Sequence, residues 1–595
     1  MQELFTLASD KNSGSKGDPK ASPSTAQNQK TYNVDPTKPQ LRIITLSGTE
    51  SVTKNMTVYE CGEDIVIVDC GVGFPDSEML GVDVVIPDMR YLEENSHKIR
   101  GLIITHGHED HIGAVPYFLQ KFDIPIYANK LVQGFLKEKL KDKSFRSLLD
   151  KVKFVLFDPE HGDLTLGRFF KISAFRLNHS VPMSQGIALR TPQGLVLHMA
   201  DYKIDWTPVI DKPLDLGTIA TYGKEGVLCL LSDCLGSTHE GYSKSESSLN
   251  DTFVNLLEHA HDRQFIVTTI SSNLSRMHQI ISAAIRYGRK VVLAGRSIDQ
   301  TVSVGKSLGL LPFRDEDFVK LEEANDYLQK DLVYIAAGCY GQQGSALDRI
   351  SRGEHDHITL ESESVVVFSA DPNPPGVAED VERVMNNLTL AGAEVIYGKI
   401  QDNLHVSGHG TKGDLITMAH IVNPRYFVPI GGTVTKMRAY SNMLQEVGFV
   451  HSQVLELMEG ESAVFDKGFA KKGDTLEVQK IFVEGRSVGE ISPVVMRDRE
   501  NLSMDGVFVV VIPVDPSEKV LAGKIEIITR GFVYVKENKA LLGKAKDVVN
   551  KSLDKFEGKI EDWNSVRNKV EDHVSKFLYK ETGKNPMIIV HAVHV

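Results

Sequence analysis

Unbroken apolar runs rich in β-branched residues recur along the chain. Between them the apolar positions open to the three- and four-residue spacing of helices. Ile65–Val68, Leu102–Ile104, Leu195–Leu197 and Val227–Leu231 lack the polar alternation of a half-exposed strand, so the pattern predicts strands covered on both faces. Phe265–Val267 leads into a helical run beginning near Ser275, and Val291–Leu293 and Val365–Phe368 repeat the strand-then-helix rhythm. Such alternation predicts an α/β architecture with sheets covered by helices. Asp466–Asp474 is charged and irregular and reads as a linker. After it, Gly506–Pro513, Ile525–Ile528, the helix-prone Lys539–Lys555 and Met587–Val590 suffice for a small separate α/β domain. Residues 1–39 carry almost no aliphatic clusters and cannot offset their ordering entropy, so that extension is expected to be disordered.

A chain of 595 residues is long enough for about three or four domains. No apolar run approaches the ~20 residues of a membrane helix, and the longest, Val507–Val514, contains Pro513. The first residues show neither a basic stretch nor a sustained apolar one, so no secretion signal is expected. Cys61, Cys70, Cys229, Cys234 and Cys339 are scattered and never two residues apart. That speaks against a disulfide framework or a thiolate zinc cluster and fits a reducing cytoplasm. A net charge of −12 points away from a general polyanion binder. Any nucleic acid would meet a confined groove in which metal ions supply part of the positive potential.

Candidate chemistry concentrates directly after the predicted strand Leu102–Ile104. His106, His108, Asp110 and His111 place four metal-competent side chains within six residues, with the nitrogen and oxygen donors that zinc or manganese takes. His106 and His108 fall on one side of an extended segment, and Asp110 and His111 follow as the chain turns into a helix, so one loop can serve two adjacent ions. His179 and Asp201 also follow strands, and a carboxylate can bridge two cations, which makes Asp201 the natural shared ligand. His198, inside its strand, reads as a packed core histidine. Gly338–Ser345 is glycine-rich but lacks the Gly-Lys-Ser/Thr ending of a nucleotide loop, and reads as a turn beside the substrate groove or a purely structural one.

His106-x-His108-x-Asp110-His111 with His179 and Asp201 resembles the metallo-β-lactamase signature. Ser232-Asp233-Cys234, Ser271–Arg276, Gly295–Ser297 and His405–His409 look like the β-CASP nucleases, and among them the bacterial RNase J group. Val68–Gly71, Phe74–Asp83 and Arg530–Tyr534 resemble the same group, and the likeness runs from about residue 40 to the end. It implies a metallo-β-lactamase αββα sandwich (40–236 and 397–470) interrupted by a β-CASP α/β domain (237–396), then a linker (471–488) and a small C-terminal α/β domain (489–595). It implies two Zn²⁺ per chain, with Mn²⁺ or Mg²⁺ as substitutes. His106, His108, His179 and Asp201 would hold one ion, and Asp110, His111 and the shared Asp201 the other. Asp233 would be an acidic partner in the site, and His409 would protonate the departing 3′ oxygen. Ser272, Asn273, His405, Val406, Ser407, Gly408 and His409 would meet the RNA.

The activity so implied is metal-dependent hydrolysis of RNA, from 5′-monophosphate ends and internally, in rRNA and mRNA maturation and decay. Partners so implied are RNA, further copies of the chain in a dimer or tetramer, a DEAD-box RNA helicase and the ribosome, and no membrane. The rivals are a DNA- or tRNA-processing β-CASP nuclease and a metal-poor RNA-binding scaffold. One departure stands out. RNase J-like chains place a histidine after Pro-Ile, 22 residues beyond the position of His409, as a ligand of the second metal; here that position is Gly431.

Overall fold

Apolar runs of this kind must be covered on both faces, and two sheets cover each other. A computed structural model describes residues 37–595 apart from 77, 372–376, 399–400, 402, 486, 516–519, 534–537, 555–561 and 595. All but the last three positions of the expected N-terminal extension therefore lie outside the described residues.

One sheet has eight strands, in the order Phe469–Lys472, Ser462–Asp466, Leu41–Ser47, Met56–Cys61, Asp64–Val68, Ile99–Ile103, Ile126–Ala128 and Phe154–Leu156. The other has six: Tyr426–Ile430, Val227–Asp233, Gly194–His198, Gln185–Thr191, Phe170–Arg176 and Leu164–Leu166. Ile43, Tyr59, Val66, Ile103, Ile187, Leu189, Val196, Leu231 and Val428 fill the space between them. The helices Leu216–Glu225, Lys412–Val422 and Val434–Glu446 cover the outer face of the six-stranded sheet with Ile219, Leu415, Met418, Met437 and Tyr440.

Between Asp233 and Tyr426 the chain builds a third sheet, all parallel, in the order Phe318–Val319, Lys290–Ala294, Leu332–Ala336, Phe265–Thr268, Val365–Phe368 and Glu394–Ile396. The strands flanking this insertion are neighbours: Val227–Asp233 pairs in parallel with Tyr426–Ile430, Asp233 opposite Ile430. The insertion thus leaves and re-enters at one edge of the six-stranded sheet, which is where the candidate residues lie.

The stretch read as a linker is not irregular. Phe469–Lys472 pairs back on Ser462–Asp466, through a turn whose two residues, Lys467 (φ 52°) and Gly468 (φ 77°), are both left-handed. Two such residues match the twist of the flanking strands. The stretch is polar because it forms the sheet's edge. Ile481–Glu484, inside the expected 471–488 linker, pairs with Val84–Ile86 and with Ser487–Val488 in a small sheet of its own. Beyond it, Val507–Asp515 pairs with Glu526–Arg530 and Met587–His594. The helices Lys539–Asp554 and Trp563–Thr582 cover that sheet, with Phe508, Val510, Val549, Val566 and Val570 in a core of their own. Among the described residues no helix is long and apolar enough to cross a membrane.

Candidate metal centre

The candidate ligands follow strands of both sheets. The chain leaves Ile99–Ile103 through Ile104 and Thr105 and presents His106 and His108 before the short helix Glu109–Ile112 carries Asp110 and His111. His179 follows Phe170–Arg176, Asp201 follows Gly194–His198, and Asp233 ends Val227–Asp233. These three strands run in one direction, so their carboxyl ends share an edge.

Three imidazole nitrogens and a carboxylate oxygen converge there. His108 Nδ1 lies 3.2 Å from His106 Nε2 and 3.0 Å from His179 Nε2. Asp201 Oδ2 lies 3.8 Å from His106 Nε2 and 3.7 Å from His179 Nε2. On its other side the same oxygen is 3.4 Å from His111 Nε2, which is 3.5 Å from Asp110 Oδ2. Donors around one tetrahedral ion with bonds of about 2.0–2.1 Å stand about 3.3 Å apart, so both groups have the spacing of a ligand set, with Asp201 common to the two.

The far side of each imidazole is held. His111 Nδ1 meets Asp69 Oδ2 at 2.7 Å, His179 Nδ1 donates to the Gly408 carbonyl at 2.7 Å, His108 Nε2 meets Ser180 Oγ at 3.1 Å, and His106 Nδ1 meets Thr105 Oγ1 at 3.1 Å. Such contacts fix the ring and leave the inward nitrogen for a metal. Gly408 must be glycine, because a Cβ there would stand 2.7 Å from the His179 ring.

Electrostatics favour a cation. Burial, with neighbouring imidazoles, holds His106 and His179 well below the usual histidine range and lowers His108 to about 3. Their lone pairs are therefore free, as metal binding requires. Burial would lower His111 too, but Asp201, Asp110 and Asp69 outweigh it and raise the group. That pocket keeps a positive charge even if only a proton supplies it. The residues present fit divalent metal.

Asp233 and His409 close the other flank, with His409 Nδ1 2.7 Å from Asp233 Oδ2 and Nε2 4.0 Å from Asp201 Oδ2. Burial would depress His409, but Asp233, Asp201 and Asp110 prevail and push it up to about 9.

Four family descriptions match successive parts of the chain. They are the metallo-β-lactamase superfamily over residues 52–201, the ribonuclease J β-CASP domain over 262–388, the RNA specificity domain of Zn-dependent metallo-hydrolases over 393–454 and the ribonuclease J C-terminal domain over 494–595. Ribonuclease J2 of Bacillus subtilis is 34% identical over 92% of this chain and 98% of its own. Ribonuclease J 1 of Streptococcus pyogenes is 31% identical over 92% and 97%. The chain belongs to the ribonuclease J family. It is accordingly a metallo-β-lactamase/β-CASP ribonuclease. A crystal structure of an Enterococcus faecalis protein of unknown function shares the fold, with a TM-score of 0.51 and 13% identity over 71% of this chain and all of that one.

The residues expected to meet RNA divide. Ser407 is exposed, its hydroxyl accepting the His409 N–H at 3.1 Å. His405 Nδ1 is buried without a hydrogen-bond partner, and burial, with Arg276 and Lys203 nearby, lowers the ring to about 3. Ser272 sits half-buried in the turn before the helix Leu274–Arg286. Asn273 is buried and its side-chain oxygen caps that helix by accepting the Arg276 N–H. The Val406 side chain packs into the apolar core, leaving only its backbone available. His198 is buried as expected, Nδ1 2.8 Å from the Tyr59 hydroxyl. Gly338–Ser345 ends by capping the helix Ala346–Ser351 and lines a cleft with Ser271, Arg296 and Ser297.

Sequence reasoning left the functions of Asp69 and Asn55 unassigned. Asp69 lies just past a strand with φ 64° and takes the Thr105 N–H and hydroxyl besides His111. A carboxylate after an apolar run was the available signal. Nothing local marks Asn55.

Proposed function

We propose that the chain hydrolyses RNA phosphodiesters with two divalent metal ions, zinc in the first of the two positions, releasing mononucleotides from 5′-monophosphate ends and also cutting internally. The observation that carries this reading is the convergence on Asp201 of two donor groups, flanked by the His409–Asp233 pair. His106, His108, His179 and Asp201 would hold one ion, and Asp110, His111 and Asp201 the other. Cations there supply Lewis acidity, which generates a nucleophile near neutral pH and offsets phosphoryl charge.

The chain's own groups do the rest. His409, protonated and oriented by Asp233, stands beside His179 and Asp201 and gives its proton to the departing oxygen. The segment Leu404–Gly410 lies over the site and is tied at both ends. Ser369 Oγ donates to the Leu404 carbonyl at 2.7 Å, and the Gly410 N–H donates to the Tyr202 carbonyl at 2.7 Å. Between these anchors Ser407, His405 and the backbone around Gly408 offer donors to one phosphate, and a longer triphosphate is crowded out.

Matched RNAs that differ only at the 5′ end test this, read by mononucleotide release. The monophosphate substrate is expected to be degraded faster. Equal release from both ends would remove the 5′ sensor, and undiminished turnover in an Asp110→Ala/His111→Ala double variant would remove the hydrolase reading itself.

A further inference from the structure

The two donor groups are unequal. The first has four protein donors; the second has His111 and two carboxylates. Gly431, at φ 66°, adds none: a Cβ there would stand 3.4 Å from Asp201 Oδ1, so the position faces the site with no side chain to offer. Asp201 and Asp233 are the polar groups nearest that gap, and the Asn55 side chain lines the same small cavity as His111, Asp201 and Ile430. Asn55 Nδ2 lies 3.1 Å from His111 Nε2 and 3.3 Å from Asp110 Oδ2, against the inward donor atoms of both. Those separations match the 3.4–3.5 Å between the second group's own donors.

We infer that Asn55 is a ligand of the second ion, through its amide oxygen. The inference rests on the metal-dependent reading above. An N–H cannot stay aimed at a cation, and a half-turn about Cβ–Cγ puts oxygen where nitrogen now stands. The backbone holds the residue in place meanwhile: the Asn55 N–H donates to the Asp110 carbonyl at 2.9 Å, and the Asn55 carbonyl accepts the Gly71 N–H at 3.1 Å. Turning gives up the amide contacts to the Asp110 carboxylate at 3.3 Å and to the Asp110 and Val52 carbonyls at 3.2 and 3.4 Å, and the bond to the cation would replace them. Room exists on both sides. Oδ1 lies over Gly48, where a Cβ would be 2.4 Å away, and a small enclosed cavity separates Asn55, Gly48, His111 and Asp201.

Chemical selectivity follows. Three imidazoles and a carboxylate suit zinc, whereas one imidazole, two carboxylates and an amide oxygen form a harder set that favours Mn²⁺ or Mg²⁺. The chain is thus built for zinc in the first position and a harder ion in the second.

The test needs no RNA. Full-length protein carrying one equivalent of zinc is titrated with Mn²⁺, free Mn²⁺ being followed by electron paramagnetic resonance and retained zinc by elemental analysis. The unaltered chain is expected to bind one Mn²⁺. Asn55→Ala should weaken that binding at least tenfold while zinc stays. Asn55→Asp should retain or tighten it, because a carboxylate supplies oxygen but donates no hydrogen bond. Unchanged Mn²⁺ binding in Asn55→Ala overturns the inference. So does equal loss in both variants, which would make Asn55 a donor that merely props Asp110. Absence of both ions from the unaltered chain would overturn the metal-dependent reading along with it.

Discussion

A histidine that must protonate a departing oxyanion has to carry its proton at working pH, and His409 does so against its own burial. The carboxylates that outweigh burial, Asp233 foremost, push it up to about 9. Because a neighbouring carboxylate favours the imidazolium, replacing it by a neutral amide lowers the pKa. Asp233→Asn should therefore shift the alkaline limb of the pH–rate profile to lower pH. His409→Ala should abolish that limb and slow turnover by about 10²–10⁴-fold. Profiles of kcat for the two variants decide it: an unmoved limb in Asp233→Asn would assign the acid elsewhere. Gly431 offers a complementary test. A side chain there starts 3.4 Å from Asp201 Oδ1, and histidine in the left-handed region costs only about 1–2 kcal/mol. Gly431→His should thus raise retention of the second metal and make Asn55→Ala tolerable in the double variant, as counted by elemental analysis after gel filtration. At this scale the clustered ligands were legible because six residues carried four of them. Asn55 was not, since its meaning comes from standing beside Asp110, 55 positions away.

At the scale of elements, the segment Leu404–Gly410 belongs to two sheets at once. Its far end is held by His179 and Tyr202 from the sandwich, and its near end from the inserted domain by Arg276. That guanidinium is fully buried. It donates to Ser369 Oγ at 2.6 Å and to the Leu404 carbonyl at 3.3 Å, and pairs with Glu246 at 2.7 Å. Lys203 of the sandwich lies 3.7 Å from the same Glu246 carboxylate. Arg276→Lys keeps a charge beside Glu246 but loses the planar fork that reaches both other acceptors. One such bond is worth about 1.4 kcal/mol, a factor of ten. KM for RNA should accordingly rise roughly tenfold in Arg276→Lys while kcat and bound metal hold. A fall in kcat with KM unchanged would show that the fork does not position this segment for binding. Sequence alone marked the elements unevenly. Val227–Asp233 and Val365–Phe368 showed as apolar runs because both faces are covered. The edge hairpin around Lys467 and Gly468 was missed because an exposed edge is polar and its two-residue turn leaves no apolar signal.

Over the whole molecule, the hydrophobic clusters determine what unfolds together. Leu102, Ile104, Phe118 and Val132 from the eight-stranded sheet and its helices share one cluster with Leu256, Val267, Leu274 and Val304 of the inserted domain. Sandwich and insertion should therefore melt as one unit. Phe508, Val510, Ile512, Val549 and Val574 form a cluster without a member near the metal centre, so the C-terminal domain should melt separately. The centre joins the two because every donor around Asp201 comes from the first unit. Asp110 and Asp201 bring two carboxylates into it, and a cation bound only in the folded state adds RT ln(1 + [L]/Kd), about 2.7 kcal/mol at a hundredfold excess over Kd. Scanning calorimetry with and without chelator should show two transitions. Chelation should lower the larger one and leave the smaller in place, and zinc should restore it. The sign follows from linkage: the unfolded chain does not assemble these donors, so removing the ion destabilises only the folded sandwich. A chelator that moved both transitions equally would mean that the C-terminal domain is coupled to the metal centre after all, and one that moved neither would mean that the centre binds no ion tightly enough to matter to the fold.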